Sequence, residues 1–360
     1  MLLVAGKVPS YTHAFLTQLH RSLLHLGGRH LMNHAAITVT ATKKPLESLF
    51  RAMYHDKLDF SDFKLGSLEE NYSTFEHREH DRTRVIIKPN KKLKTFHTFL
   101  NLFLFERLPI NERVVFSYRK GVSAYDAVAP HSSGKYFFQS DISNFFSSID
   151  RSLIQQTIEQ GKERSSISDV DAYLERILDL VCIGGSLSPG LPSSPVISNS
   201  VLLSFDNSTE EHCRSVGCTY TRYSDDIIIS GPAREPLESL REVLAASLEN
   251  KYSHRFKLND RKSKLFNTSG KIGILGLTIL PNGHISVDSK VRTETEVLLH
   301  FFLTDKEKFS QRAGGDIEKA SERIAGFLNY VNSADRAYLD KLRRKYGATT
   351  VDMFLHRTFD

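Results

Sequence analysis

Apolar residues recur at helical spacing from Thr12 to Leu26, and Gly27-Gly28 then supplies a stop. A polar and aromatic segment without a readable period runs on to about residue 80. Strand-like Arg84-Val85-Ile86-Ile87 leads into a turn at Lys88-Pro89-Asn90-Lys91, after which Phe96 to Leu108 reads as a helix. The aromatic run Tyr136-Phe137-Phe138-Gln139-Ser140-Asp141 predicts a strand, and Arg151 to Gln160 and Val170 to Val181 predict helices. A Gly/Pro/Ser loop from Leu187 opens an apolar, helical stretch reaching Asn199. Two β-rich runs, Thr219 to Arg222 and Ile227 to Ser230, flank Tyr223-Ser224-Asp225-Asp226. Glu235 to Glu249 predicts an amphipathic helix, and strands are expected around Lys257 to Ser263 and Lys271 to Ile279. Beyond a turn at Pro281-Asn282-Gly283-His284 the pattern is helical again. There Ile317, Ile324, Phe327, Leu328 and Val331 share one face, and Arg336, Lys341, Arg343, Arg344 and Lys345 mark a basic last helix. Strands separated by helical crossovers make an α+β fold the expectation.

The tetrapeptide Tyr223-Ser224-Asp225-Asp226 is an acidic hairpin turn. Adjacent carboxylates at a tight turn repel, and a bound cation, Mg²⁺ being the natural one, offsets that cost. A solvated hairpin tip has the same composition. Asp141 shifts the balance, because it ends another strand-like run, and two acidic strand ends can clamp a pair of metal ions for in-line phosphoryl displacement. Nucleotidyl transfer is the chemistry this predicts.

Composition narrows the picture further. The 360 residues suffice for two or three lobes and leave little length for a fused nuclease or protease domain. Lys plus Arg outnumber Asp plus Glu by 48 to 42, and the pI is about 9.0, which suits a polyanionic partner. Arg78, Arg82, Arg84, Lys88, Lys91, Lys92 and Lys94 concentrate the positive charge ahead of the acidic motifs; a solvated basic face has the same look. Cys182, Cys213 and Cys218 form no Cys-x-x-Cys pair, so a structural zinc site is not expected. With no secretory leader and no apolar run of membrane-spanning length, a soluble, cytoplasmic setting is the expectation.

Taken in order, these segments resemble the motifs of reverse transcriptases. Asp141 with Phe145-Phe146 resembles polymerase motif A, Gly190 to Pro195 motif B, and Tyr223 to Asp226 the Tyr-x-Asp-Asp of motif C. Leu258-Asn259-Asp260-Arg261-Lys262-Ser263 resembles motif D, and Ile274-Leu275-Gly276-Leu277 resembles the following turn that grips the primer. Phe116 to Ser123, continuing to Ala127-Val128-Ala129-Pro130-His131, is similar to the segment that retron and related defence-associated bacterial enzymes place before motif A. Ala127-Val128 stands where those enzymes show Asn-Ala, Ile274-Leu275-Gly276 where many carry Val-Thr-Gly, and Pro189 where motif B typically has Gln.

The resemblance implies a right-hand polymerase: an N-terminal extension over 1–80, fingers over 81–135, a palm with antiparallel sheet over 136–285 with an insertion at about 150–186, and a helical thumb over 286–360. It implies two Mg²⁺ ions, with Mn²⁺ as substitute, on Asp141, Asp225, Asp226 and the carbonyl of Ile142, and Lys262 as proton donor or counter-charge for pyrophosphate. Arg82, Arg84, Lys88, Phe146, Gly190 and Ser194 would meet the incoming nucleotide, Phe146 excluding a ribose 2′-hydroxyl. Tyr223, Leu275 and Gly276 would bind the primer. The implied partners are dNTPs, a non-coding RNA template and a DNA product, together with an effector protein, a second polymerase subunit or further copies of the chain. The implied activity is RNA-directed DNA synthesis in anti-phage defence. A template-independent or protein-primed DNA synthase and a silent RNA-binding scaffold are the alternatives.

Overall fold

The computed structural model describes residues 42–79 and 82–356, with side chains undescribed from 77 to 84. The helix expected over Thr12 to Leu26 lies outside the described residues. Helices Leu46–Tyr54 and Phe60–Leu65 pack with helix Lys91–Phe103 through a cluster of Phe50, Phe60, Phe63, Phe96 and Phe99. Strands β1 (Tyr72–Glu79) and β2 (Arg82–Pro89) form an antiparallel ribbon in which Tyr72 faces Pro89. β1 had no sequence signal, because an exposed ribbon need not alternate apolar and polar residues. The helix expected from Phe96 begins five residues earlier, at Lys91, since the Asn90 side chain caps it by accepting from Leu93 N at 2.9 Å.

The central sheet holds β3 (Tyr136–Asp141), β4 (Thr219–Tyr223), β5 (Asp226–Gly231) and β6 (Lys264–Asn267) in the order β4-β5-β3-β6, antiparallel throughout. β6 corrects the expectation of a strand over Lys257 to Ser263. Those residues form a turn around Asn259, joined to the sheet's end by the bridge between Ile142 and Leu258. Likewise the run from Lys271 to Ile279 is two strands, β7 (Ile272–Ile274) and β8 (Leu277–Ile279), which with β9 (Ile285–Val287) make a second, three-stranded sheet. Helices Arg151–Gly161, Ser194–Val201, Leu203–Ser215 and Leu240–Tyr252 contribute to the core on one side of the central sheet.

β3 feeds two cores. Phe138 joins Ile227 and Ile229 in a core shared with the helices and the β1–β2 ribbon. Phe137 joins Ile228, Leu277, Ile324 and Leu328 in a second core, which takes in the three-stranded sheet and the C-terminal helices Ser289–Thr304, Ile317–Ala334 and Arg336–Tyr346. Ile317 is not on that apolar face: it opens its helix at 54% exposure, and burial starts at Ala320. The basic helix is partly neutralised, Arg343 pairing with Asp340 and Asp352 and Lys345 with Glu296. The fold is thus α+β, and no helix among the described residues is long and apolar enough to cross a membrane.

His131 sits buried between Ser230 Oγ at 2.7 Å and Thr221 Oγ1 at 2.8 Å, tying the segment before β3 to β4 and β5. Burial holds its imidazole down to about 3. The unfolded ring takes up a proton near pH 6.5 while the folded one does not, so the stability it contributes is lost as pH falls from about 6.5 toward 3. A His131→Gln protein is expected to melt below wild type at pH 7.5. The gap should narrow on acidification by up to about 1.4 kcal/mol per pH unit below 6.5, measured by denaturant melts at pH 7.5 and 5.5.

Candidate active site

The pairing of β3 with β5 sets Asp141 directly opposite Asp226. Beyond that pair, Ile142 N donates to Asp225 O at 3.0 Å, so the turn between β4 and β5 is fastened to the end of β3. Ser224 carries φ +60° in this two-residue turn, the positive-φ geometry that matches hairpin twist. On the other edge, Asn259 N donates to Asp141 O at 2.8 Å and Ser143 N to Lys257 O at 2.8 Å. The Asn259 carbonyl accepts from Lys262 N at 3.0 Å and closes the turn that delivers Lys262. Lys262 Nζ consequently donates to Asp141 Oδ2. The structure therefore brings Asp141, Asp225, Asp226 and Lys262 together from three separate stretches of chain.

Their electrostatics are those of crowded, part-buried acids. Burial, and then the charge of Asp141, raise the Asp225 carboxyl, while burial and Asp225 push Asp226 up to about 7. The hydrogen bond to Asp141 raises the Lys262 ammonium. Asp141 Oδ1 is buried without a partner. Among the described residues no three His, Cys, Asp or Glu side chains close on one point as they stand. The donors nonetheless fit a hard divalent cation: they are carboxylate oxygens, one lacks any partner, and another is held by an ammonium where a metal's positive charge would act. The hydrogen bonds that flank the Ile142–Leu258 bridge use the Asp141 carbonyl and the Ser143 amide, and leave the Ile142 carbonyl out.

Around this centre the other sequence candidates divide. Phe145 is buried with its ring 6.0 Å from Phe256, whereas Phe146, next to it at 5.5 Å, is only half-buried. Gly190 has φ +99°, and a Cβ there would stand 2.1 Å from Ile87 O, so the motif B loop lies against β2; Ile87 N also donates to Pro189 O at 2.9 Å. Gly190→Ala is expected to lower stability by about 2 kcal/mol or more, read as a Tm drop of about 4 °C or more. Ser194 is fully buried and its hydroxyl donates to Ser188 O at 2.7 Å, so it shapes the loop from within. Lys88 is exposed on β2, opposite Ser73. Arg82 and Arg84 lie in the same strand, opposite Glu79 and His77, and their side chains fall outside the described ones.

Tyr223 is half-buried at the end of β4. Leu275 and Gly276 form the β7–β8 turn with φ of +52° and +78°, both positive as a type I′ hairpin requires. Tyr330, on a C-terminal helix, donates from its hydroxyl to Leu275 O at 2.9 Å, and Asp288 N donates to Gly276 O at 3.0 Å. Tyr330 has no signal in the sequence beyond an aromatic on an amphipathic helix, and the turn-forming part of Asn259 is hidden in a stretch that reads as a strand.

Residues 76–279, more than half of the chain, match the family described as reverse transcriptase (RNA-dependent DNA polymerase). The chain is 26% identical over 271 residues to the Retron Ec73 reverse transcriptase of Escherichia coli, covering 73% of this chain and 83% of that one. It is 24% identical over 276 residues to the Retron Mx65 reverse transcriptase of Myxococcus xanthus, covering 73% and 61%. Among solved structures, telomerase from Candida albicans in complex with a TWJ fragment of telomeric RNA matches with a TM-score of 0.44 at 12% identity, over 83% of this chain and 60% of that one. Apo telomerase from Candida tropicalis gives a TM-score of 0.45 at 10% identity, over 83% and 63%, so the chain spans about three fifths of the telomerase chains it matches. With the family match running from β1 through the acidic turn between β4 and β5 to β8, the chain belongs to the reverse transcriptases, the RNA-dependent DNA polymerases, and bacterial retron enzymes are among its relatives.

Proposed function

We propose that this chain extends a 3′-hydroxyl with dNTPs by copying a dedicated non-coding RNA, as the polymerase of a bacterial anti-phage system. The observation that carries the reading is the meeting of Asp141, Asp225, Asp226 and Lys262 at one end of the central sheet. Two Mg²⁺ ions held by Asp141, Asp225 and Asp226 would lower the pKa of the primer hydroxyl and neutralise charge on the departing pyrophosphate, Mn²⁺ serving as a substitute. Lys262, released from Asp141, would stand by that leaving group as proton donor or counter-charge. Phe146 would lie under the incoming sugar and exclude a 2′-hydroxyl. The Leu275-Gly276 turn, braced by Tyr330, would hold the primer strand, and Lys88 with Arg82 and Arg84 would meet phosphates. In this reading the fingers take residues 81–135, the palm 136–285 and the thumb 286–360. An effector protein or second polymerase subunit would complete the system.

Pro189 favours a second reading, since its place in motif B leaves no glutamine side chain to meet the nucleotide and its carbonyl is bound to Ile87 N. A template-independent or protein-primed synthase would tolerate that. Sequencing the nucleic acid that co-purifies with wild type and with an Asp225→Ala, Asp226→Ala double variant separates the two. DNA complementary to a bound RNA, present only with wild type, is the expected result. DNA with no complementary template would move the assignment to untemplated synthesis, and bound RNA without Mg²⁺-dependent dNTP incorporation would leave an RNA-binding scaffold.

A further inference from the structure

Arg222 is the largest fully buried side chain among the described residues, at 0% exposure, and it precedes the acidic turn by one residue. Its partner Asp206, on helix Leu203–Ser215, is also at 0%. The pair is bidentate: Nε donates to Asp206 Oδ1 at 2.7 Å and Nη2 to Oδ2 at 2.7 Å, while Tyr220 adds its hydroxyl to Oδ1 at 2.8 Å. Arg222 Nη1 then donates to the carbonyl of Ser224 at 2.8 Å, inside the turn itself. From the other side, Ser224 N donates to Ser117 Oγ at 2.8 Å, Ser117 Oγ donates to Asn199 Oδ1 at 3.0 Å, and Tyr118 OH shares a hydrogen bond with Ser224 Oγ at 2.9 Å. Ser224, the positive-φ residue that precedes Asp225, is thus gripped at its amide, its hydroxyl and its carbonyl.

A buried ion pair is a poor way to gain stability, because desolvation cancels much of the Coulombic attraction. What this pair does is aim a charged donor, Nη1, at the Ser224 carbonyl, while Nη2 also reaches the Asn199 carbonyl at 3.2 Å and ties the turn to helix Ser194–Val201. The segment Ser117-Tyr118, whose place ahead of motif A had no assigned job, supplies the opposing grip. We propose that Arg222, fixed by Asp206 and opposed by Ser117 and Tyr118, is the positioning residue that holds the Ser224–Asp225 turn in its strained geometry, and so sets where the Asp225 carboxylate stands. The proposal rests on reading Asp225 as a metal ligand. A displacement of that carboxylate by about 1 Å is of the size that costs about 10²-fold in rate.

The test replaces the whole buried polar cluster by apolar groups of similar shape, Arg222→Met with Asp206→Leu and Tyr220→Phe, a change that buried ion pairs often tolerate without loss of fold. Three quantities are compared with wild type: Tm, binding of Mn²⁺ alone followed by electron paramagnetic resonance, and dNTP incorporation. The expected result is a Tm near wild type, Mn²⁺ bound about tenfold more weakly, and kcat lower by about 10–100-fold with the KM for dNTP little changed. A folded triple variant with wild-type Mn²⁺ binding and kcat overturns the proposal. If the triple variant does not fold, Ser117→Ala decides in the same assays: weaker Mn²⁺ binding supports the grip, and unchanged binding and kcat overturn it. Should wild type incorporate no nucleotide, the polymerase reading fails on its own, and the Mn²⁺ titration still decides the positioning.

Discussion

An Asp225→Asn enzyme is expected to incorporate dNTPs about 10³-fold more slowly than wild type and yet to melt at a higher temperature in EDTA at pH 8. The first effect follows if Asp225 is the carboxylate shared between metal ions. The second follows from the metal-free electrostatics, in which burial and mutual repulsion raise Asp225 and push Asp226 up to about 7. An unfolded aspartate titrates near 3.9, so between about pH 4 and 7 the folded chain holds the extra proton and stability falls as pH rises. Above about 7 the cost is fully present, and removing one charge relieves it by about 1–2 kcal/mol, a rise in Tm of about 2–5 °C. The comparison belongs between pH 6.5 and 8, because His131 acts in the opposite sense below that window. Scanning calorimetry in EDTA and single-nucleotide incorporation with Mg²⁺ read the two effects. A variant that melts lower and incorporates normally would remove Asp225 from the chemistry.

Phe146→Val is expected to raise rNTP incorporation relative to dNTP by about 10²-fold while leaving Tm within a few degrees of wild type. The contrast with its neighbour is what makes this decisive. Phe145 is the core residue, its ring tilted against Phe256, and Phe145→Ala should cost about 3–5 kcal/mol with nucleotide preference unchanged. Steady-state incorporation of matched dNTP and rNTP by both variants measures the split. Relaxed selection in Phe145→Ala, with none in Phe146→Val, would reverse the assignment of the two rings.

What could be read from the sequence was local. β3 and β5 announce themselves as aromatic or aliphatic runs with an aspartate at one end, and β4 as a β-branched and aromatic run leading into the acidic turn; the carboxylates at those ends are legible from that alone. The stretch Lys257 to Ser263 reads as a strand, and the structure makes it a turn because Asn259 closes it with backbone and side-chain hydrogen bonds that leave no trace in the hydrophobic pattern. Which of Phe145 and Phe146 is buried depends on Phe256, more than a hundred residues away in the chain. The grip on Ser224 is longer in range still: Ser117, Asn199, Asp206 and Arg222 come from separate elements and meet only once the sheet and helices have packed. Arg222 does carry one hint, as a cation inside a strand of β-branched and aromatic residues, where an unpaired buried charge would be prohibitive. The Ser194 hydroxyl gave no such hint, because a serine that serves its own loop and one that serves a ligand look identical in sequence.

β3 places consecutive phenylalanines in different cores, Phe137 with the C-terminal helices and Phe138 with the helices of the opposite side. Inserting a single residue between Tyr136 and Phe137, with the start of β3 held in register, would turn both rings toward the wrong core and, in the same movement, carry Asp141 to the far face of the sheet. This stretch therefore has no tolerance for length variation even where its side chains tolerate exchange. Neutral drift here is confined to substitution, and the place of the Asp141 carboxylate is guarded by apolar residues that lie in the two cores.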